Sequence, residues 1–197
     1  MNIPLRLGIL GSTRGSNLIP LSEQLKINNI PATIELVLSN QKNAGILERA
    51  RENCWPASFI STKGLTREEY DDKLSKLLIK HQVDMVILIG YMRILSAPFI
   101  NQWRKKIINV HPSLLPAFSG LMDTAIHQAV LNQGLKQTGC TVHEVTELLD
   151  EGPILVQKTC AVFEDDTVER LKSRVQSLEV LALADAIGVF VDEGCCV

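Results

Sequence analysis

The sequence lacks any apolar run long enough to cross a bilayer. Its opening, MNIPLRLGIL, carries a single arginine and leads into a glycine-rich turn, not into a small-residue cleavage site. A membrane span and a secretory leader are therefore not expected. Cysteine is sparse and ungrouped. Cys54, Cys140, Cys160, Cys195 and Cys196 make an odd number with no C-x-x-C spacing, which argues against a disulfide scaffold or structural zinc and for free thiols in a reducing cytoplasm. Excess charge is missing too: the formal net charge is -2 and the pI about 6.1, so no basic field recruits nucleic acid or an anionic membrane. No Asp/Glu/His/Cys group has metal-ligand spacing, so no metal is expected.

What is present is an ordinary globular composition over 197 residues, 46% hydrophobic and 21% charged, enough for a single domain spanning 1–197 with a sizeable core. Apolar and amphipathic runs alternate without repeats or linkers. Residues 5–10 (LRLGIL) and 32–39 (ATIELVLS) read as strands, and 17–28 and 44–53 as helices, Pro20 being tolerable only in a first helical turn. Thr66 and Glu69 form a capping box before an amphipathic helix ending near His81. VDMVILIG, 83–90, is a continuous apolar run, as in a central parallel strand covered on both faces. IINV (107–110) is another short buried strand, 123–133 a helix, and 138–147 and 153–162 strands joined by a turn. A long helix from Thr167 to Val191 carries Val168, Leu171, Val175, Leu178 and Ala182 at helical spacing. This alternation predicts an α/β fold with a doubly wound, mostly parallel sheet, whose ligands bind at the carboxyl ends of the strands.

Three motifs lie at such ends. GSTRGSNL, 11–18, has the glycines of a tight turn and puts Gly15, Ser16 and Asn17 at a helix N-terminus, where main-chain N–H groups hold phosphate. It has neither the lysine of a Walker loop nor the G-x-G-x-x-G spacing, and an ordinary Ser/Asn-capped turn is the competing reading. INVHPSLLPAFSG, 108–120, places Asn109 and His111 two residues apart, on one side of an extended segment, before a loop stiffened by Pro112 and Pro116. An amide donor beside an imidazole can stabilise an oxyanion and move a proton. ELLDEGPIL, 147–155, offers Asp150 as a carboxylate able to orient His111, although such stretches are often plain turns. Arg93, after the central run, faces either an anionic ligand or a surface partner. Gln176 and Glu179 share a helical face. His143, in the alternating TVHEV, reads as structural, and His81 and His127 have no partner in view.

Together GSN, MRIL, NVHPSLLP, TGCTVH, DEGPILVQ and RVQSLE, in this order over essentially the whole chain, resemble the glycinamide ribonucleotide formyltransferase family. The resemblance implies a Rossmann-like fold and formyl transfer from 10-formyltetrahydrofolate, without a metal, to the amine of glycinamide ribonucleotide in purine synthesis. It implies a cytoplasmic monomer or homodimer acting on small molecules. Catalytic roles fall on Asn109, His111 and Asp150. Ribonucleotide contacts fall on Gly15, Ser16, Asn17, Pro112, Gln176 and Glu179, and folate contacts on Met92, Arg93, Ile94, Leu95 and Asn109. The N-terminal half would bind mainly the ribonucleotide, and the C-terminal half folate and the catalytic groups. The loop GLMDTAIHQ departs from relatives with a histidine-bearing or shorter version, which leaves contacts from Met122 to Thr124 open. Another formyltransferase or a formyltetrahydrofolate hydrolase is the alternative, but relatives of both kinds carry an extra domain for which this sequence has no room. A non-catalytic nucleotide-binding domain would leave Asn109, His111 and Asp150 together as coincidence.

Overall fold

The structure, a computed structural model, describes residues 3–122 and 124–192. Asp123, in the loop of open role, and Cys195 and Cys196 lie outside the described residues. The chain runs β1 (Leu5–Leu10), α1 (Leu18–Ile27), β2 (Ala32–Ser39), α2 (Gly45–Glu52), β3 (Ala57–Phe59), α3 (Arg67–Lys80), β4 (Met85–Leu88), α4 (Ala97–Gln102), β5 (Ile107–His111), α5 (Thr124–Asn132), β6 (Gln137–Glu144), β7 (Ile154–Ala161) and α6 (Val168–Asp192). The strands form one sheet in the order β3-β2-β1-β4-β5-β6-β7. β1 to β5 pair in parallel, and β6 and β7 add antiparallel strands to the far edge.

Burial on both faces explains the uninterrupted apolar strands. Along β4 and its continuation, Met85, Ile87 and Ile89 enter a core layer with Leu18, Leu21 and Ile46 of α1 and α2 and Leu171 and Val175 of α6. Val86 and Leu88 point the other way, against Tyr70, Leu74 and Leu78 of α3, Phe99 of α4 and Trp103 just beyond it. A strand covered on both sides has no position to give to a polar residue. Each fully buried Leu or Ile contributes about 1.5–3 kcal/mol of apolar transfer.

Local rules account for several boundaries. The Thr66–Glu69 capping box forms in both directions, with the Glu69 amide donating to Thr66 Oγ1 at 3.2 Å and the Thr66 amide to Glu69 Oε2 at 2.8 Å. Pro20 lies in the first turn of α1, where no N–H is missed. The central strand is shorter than the apolar run that encodes it. At its start Asp84 is engaged by the Arg6 guanidinium (2.8 and 2.9 Å), and at its end Gly90 turns the chain at φ +59. Two elements escape the periodicity reading. β3 has three residues on the sheet edge, and α4 has six, too few for a pattern to repeat.

In the strand order the chain moves outward in both directions from β1 and β4. Loops leaving these two neighbours diverge to opposite faces of the sheet, and a crevice opens at their carboxyl ends.

Candidate active site

That crevice is a cavity of about 460 Å³, within the usual range for a small-molecule site. The structure brings every candidate residue of the sequence to its lining. Gly15, Ser16 and Asn17 come from the loop after β1, and Met92, Arg93, Ile94 and Leu95 from the loop after β4. Asn109, His111 and Pro112 come from β5 and the turn beyond, Asp150 from the β6–β7 loop, and Gln176 and Glu179 from α6.

At one side lies the N-terminus of α1. Gly15 has φ +65 and packs on Ile46, so it meets both a left-handed backbone and a lack of room for Cβ. Asn17 occupies the N-cap position but makes no cap hydrogen bond. Its side-chain amide donates instead to Glu179 Oε2 at 2.5 Å, across the cavity wall. With the Asn17 side chain diverted, no side chain caps the N-terminus of α1, and the Gly15–Asn17 turn lines the cavity with the positive end of the helix dipole behind it, an arrangement that favours anions. The capped turn that competed in the sequence reading is not what forms. Lys172 of α6 and the buried His127 of α5 also line this space, a placement that the sequence reading gave to neither.

The catalytic candidates converge at the floor. Asn109 and His111, two apart, share one side of β5, and cross-strand register sets His143 of β6 directly opposite Asn109. His143 Nδ1 lies 2.9 Å from the Glu144 carbonyl oxygen and its Nε2 lies 3.1 Å from Asn109 Nδ2. One tautomer satisfies both contacts: Nδ1–H donates to the carbonyl and Nε2 accepts from the Asn109 amide. Burial pushes the His143 pKa down, against the carbonyl and the Asp150 charge, and so favours that neutral form. His143 therefore orients Asn109, a role missed in sequence, where the alternating strand indicated only burial. Its position opposite Asn109 was the available signal, legible only once the two strands are paired.

Asp150 stands between the two imidazoles. Its carboxylate is 3.6 Å from His111 Nδ1 and 3.8 Å from His143 Nε2, close enough for its charge to act but too long for a hydrogen bond. It accepts from the Gly120 amide at 2.9 Å, which ties the β5–α5 loop to the β6–β7 loop. Asp150 takes φ +57, a conformation that Asp tolerates better than most residues. Burial also lowers the His111 pKa, opposed by the Asp150 charge and the Phe118 carbonyl. The lowered pKa favours the neutral imidazole of His111 near pH 7. Its Nε2 is buried and has no protein partner among the described residues.

The loop behind His111 is held by side chains that were not singled out in sequence. Thr141 Oγ1 donates to the Ser113 carbonyl at 2.7 Å and accepts from the Leu115 amide at 3.0 Å, while Gln157 Nε2 reaches the Leu115 carbonyl at 3.0 Å. On the β4 side the Arg93 guanidinium lies 4.9 Å over the Tyr70 ring, and the buried Asp71 accepts from the Ser96 amide at 2.6 Å. Leu95 is in the core, whereas Met92 and Ile94 form an apolar rim with Leu121, Leu148 and Leu149.

A doubly wound sheet with an uncapped helix end and a largely sheltered Asn–His–Asp group in one cavity is the frame of an α/β enzyme. The family model described as formyl transferase matches residues 5–187, and the chain belongs to that family. It is 35% identical to the phosphoribosylglycinamide formyltransferase of Escherichia coli over 95% of this chain and 88% of that protein. It is 43% identical to the trifunctional purine biosynthetic protein adenosine-3 of Chironomus tentans over 92% of this chain, yet spans only 13% of that protein's length. The crystal structure of glycinamide ribonucleotide transformylase 1 from Symbiobacterium toebii is similar with a TM-score of 0.91 and 36% identity, covering 98% of this chain and 90% of that one.

Proposed function

We propose that this chain transfers a formyl group from 10-formyltetrahydrofolate to the amine of glycinamide ribonucleotide, in purine synthesis in the cytoplasm. The observation that carries the reading is the distance-bridging cavity: an anion-binding helix end at one side and Asn109, His111 and Asp150 at the other, within one 460 Å³ space. A phosphorylated amine held at Gly15, Ser16 and Asn17 extends toward His111. Pro112, Gln176 and Glu179 line the path. Met92, Arg93, Ile94 and Leu95 receive the folate from the other side.

The reaction needs little beyond placement and charge. The amine nitrogen attacks the formyl carbon, forming a C–N bond and a tetrahedral oxyanion. The Asn109 amide, with one N–H on His143 and the other free, donates to that oxygen. His111 is neutral before attack and takes up a proton as negative charge develops beside it. Asp150 stabilises the resulting imidazolium. Collapse breaks the bond from carbon to N10. The amine has lost one proton and N10 has gained one, so protons balance through His111. One oriented oxyanion donor contributes about 10²–10³ in rate.

The test is turnover of the purified protein with both substrates, in excess EDTA and without ATP, followed by mass spectrometry of the ribonucleotide. A 28-Da gain matched by stoichiometric tetrahydrofolate is expected, in keeping with a donor that arrives activated. Formate release at the same rate without ribonucleotide would identify a hydrolase, and loss of turnover on chelation would identify a metal requirement. Monomer or homodimer is the assembly that the family resemblance implies.

A further inference from the structure

We infer that Ser12, in the loop after β1 that leads into the ribonucleotide turn, is a positioning residue for the folate-binding loop after β4. The inference rests on the folate reading of that loop. Between Gly90 and Ser96 the chain has no regular structure, and among the described residues its main chain forms no backbone–backbone hydrogen bond from Tyr91 to Leu95. Two side chains hold its amides. Asp71 accepts from Ser96 at the far end (2.6 Å), and Ser12 Oγ accepts from Met92 at the near end (2.9 Å).

The Ser12 hydroxyl is not free to rotate. Its proton goes to Asn40 Oδ1 at 2.6 Å, which turns a lone pair toward the Met92 amide. The Ser12 main-chain amide donates to the Gly90 carbonyl at 3.0 Å, and Gly90 packs so closely on the Thr13 side chain that a Cβ there would overlap it. One serine thus joins the loops leaving β1, β2 and β4 at the point where the sheet splits.

The anion-binding turn has separate supports. The Thr13 carbonyl accepts from the Ile46 amide (3.1 Å), the Arg14 carbonyl from Arg49 Nε (3.0 Å) and the Gly15 carbonyl from the Leu18 amide (3.1 Å), and Asn17 is held by Glu179. Removing the Ser12 hydroxyl therefore loosens Met92–Leu95 and spares Gly15–Asn17. A change in the ribonucleotide turn should be felt by the other substrate.

The experiment measures Ser12→Ala, Asn40→Ala and Ser12→Thr by calorimetry with 10-formyltetrahydrofolate and, separately, with glycinamide ribonucleotide, and follows hydrogen exchange at the Met92 amide without ligand. Ser12→Ala should weaken folate about fivefold to tenfold, consistent with one lost hydrogen bond, and change ribonucleotide affinity less than about twofold. Exchange at Met92 should accelerate. Asn40→Ala should give the same pattern more weakly, and Ser12→Thr, which keeps the hydroxyl, should restore both. Unchanged exchange in Ser12→Ala, faster exchange with unchanged folate affinity, or equal losses for both substrates would each overturn the positioning role. A parent protein that binds no folate would instead overturn the folate reading, while the exchange arm still tests the Ser12–Met92 bond.

Discussion

The turn at Gly15–Asn17 is a backbone feature, whereas the pocket around His111 is made of side chains. The first is built locally, from Gly15 at φ +65 and a helix that begins at Leu18. The second draws Asn109 and His111 from β5, His143 from β6 and Asp150 from a loop 39 residues downstream of His111. Backbone donors tolerate side-chain change as long as the turn survives. A side-chain constellation fails with one atom. Anion binding and catalysis in the same cavity should therefore respond to mutation in different currencies, affinity for the turn and rate for the pocket.

The sharpest break in that comparison is His111→Ala. Turnover should fall by about 10³-fold or more, with ribonucleotide affinity nearly unchanged. Steady-state kinetics and calorimetry on one preparation check it, and near-normal kcat would remove His111 from the chemistry. Asp150→Asn comes next, with turnover down about 100-fold. The Asp150 charge raises the His111 pKa against burial, so its loss should move the His111 titration, read by NMR, still lower. An unmoved titration would reduce Asp150 to a turn residue.

Gly15→Val tests the other side. A branched side chain must adopt φ +65 and displace Ile46, so ribonucleotide binding should weaken about tenfold or more while folate binding stays within about twofold. Equal losses for both ligands would indicate general misfolding. The smallest effect expected concerns acid. His111 and His143 are both buried, with pKa values below the ordinary 6.5. The unfolded chain thus binds protons that the folded chain refuses, and stability is lost as pH falls below about 6.5. Thermal unfolding should show Tm dropping by a few degrees from pH 7 toward pH 5.5, and His143→Gln should flatten that slope. A slope unchanged by the substitution would place the acid sensitivity elsewhere.

Much of the architecture was legible because periodicity and local rules act within a dozen residues. The boundaries of β2 and α3 follow directly from ATIELVLS and from Thr66–Glu69, and His111 stands out as a histidine at a strand end before two prolines. β3 and α4 did not show because three and six residues are too short for a repeating pattern. Thr141 and Gln157 did not show because their work is done across space, on a loop about 25 and 40 residues away in sequence.

By itself the sequence determined the class of fold, the glycine turn at the head of α1 and the residue types needed for acid–base and oxyanion chemistry, all consequences of short-range sterics and hydrophobic alternation. Tertiary structure alone decided which partners these residues meet. Asn17 leaves its own helix to bind Glu179, 162 positions away, and so keeps the helix end open. The pairing of β5 with β6 sets His143 against Asn109, and the β6–β7 loop brings Asp150 within 3.6 Å of His111. Such meetings depend on strand register and on which loops share a sheet edge. Burying the apolar faces selects that register over the whole chain at once, and no single motif encodes it.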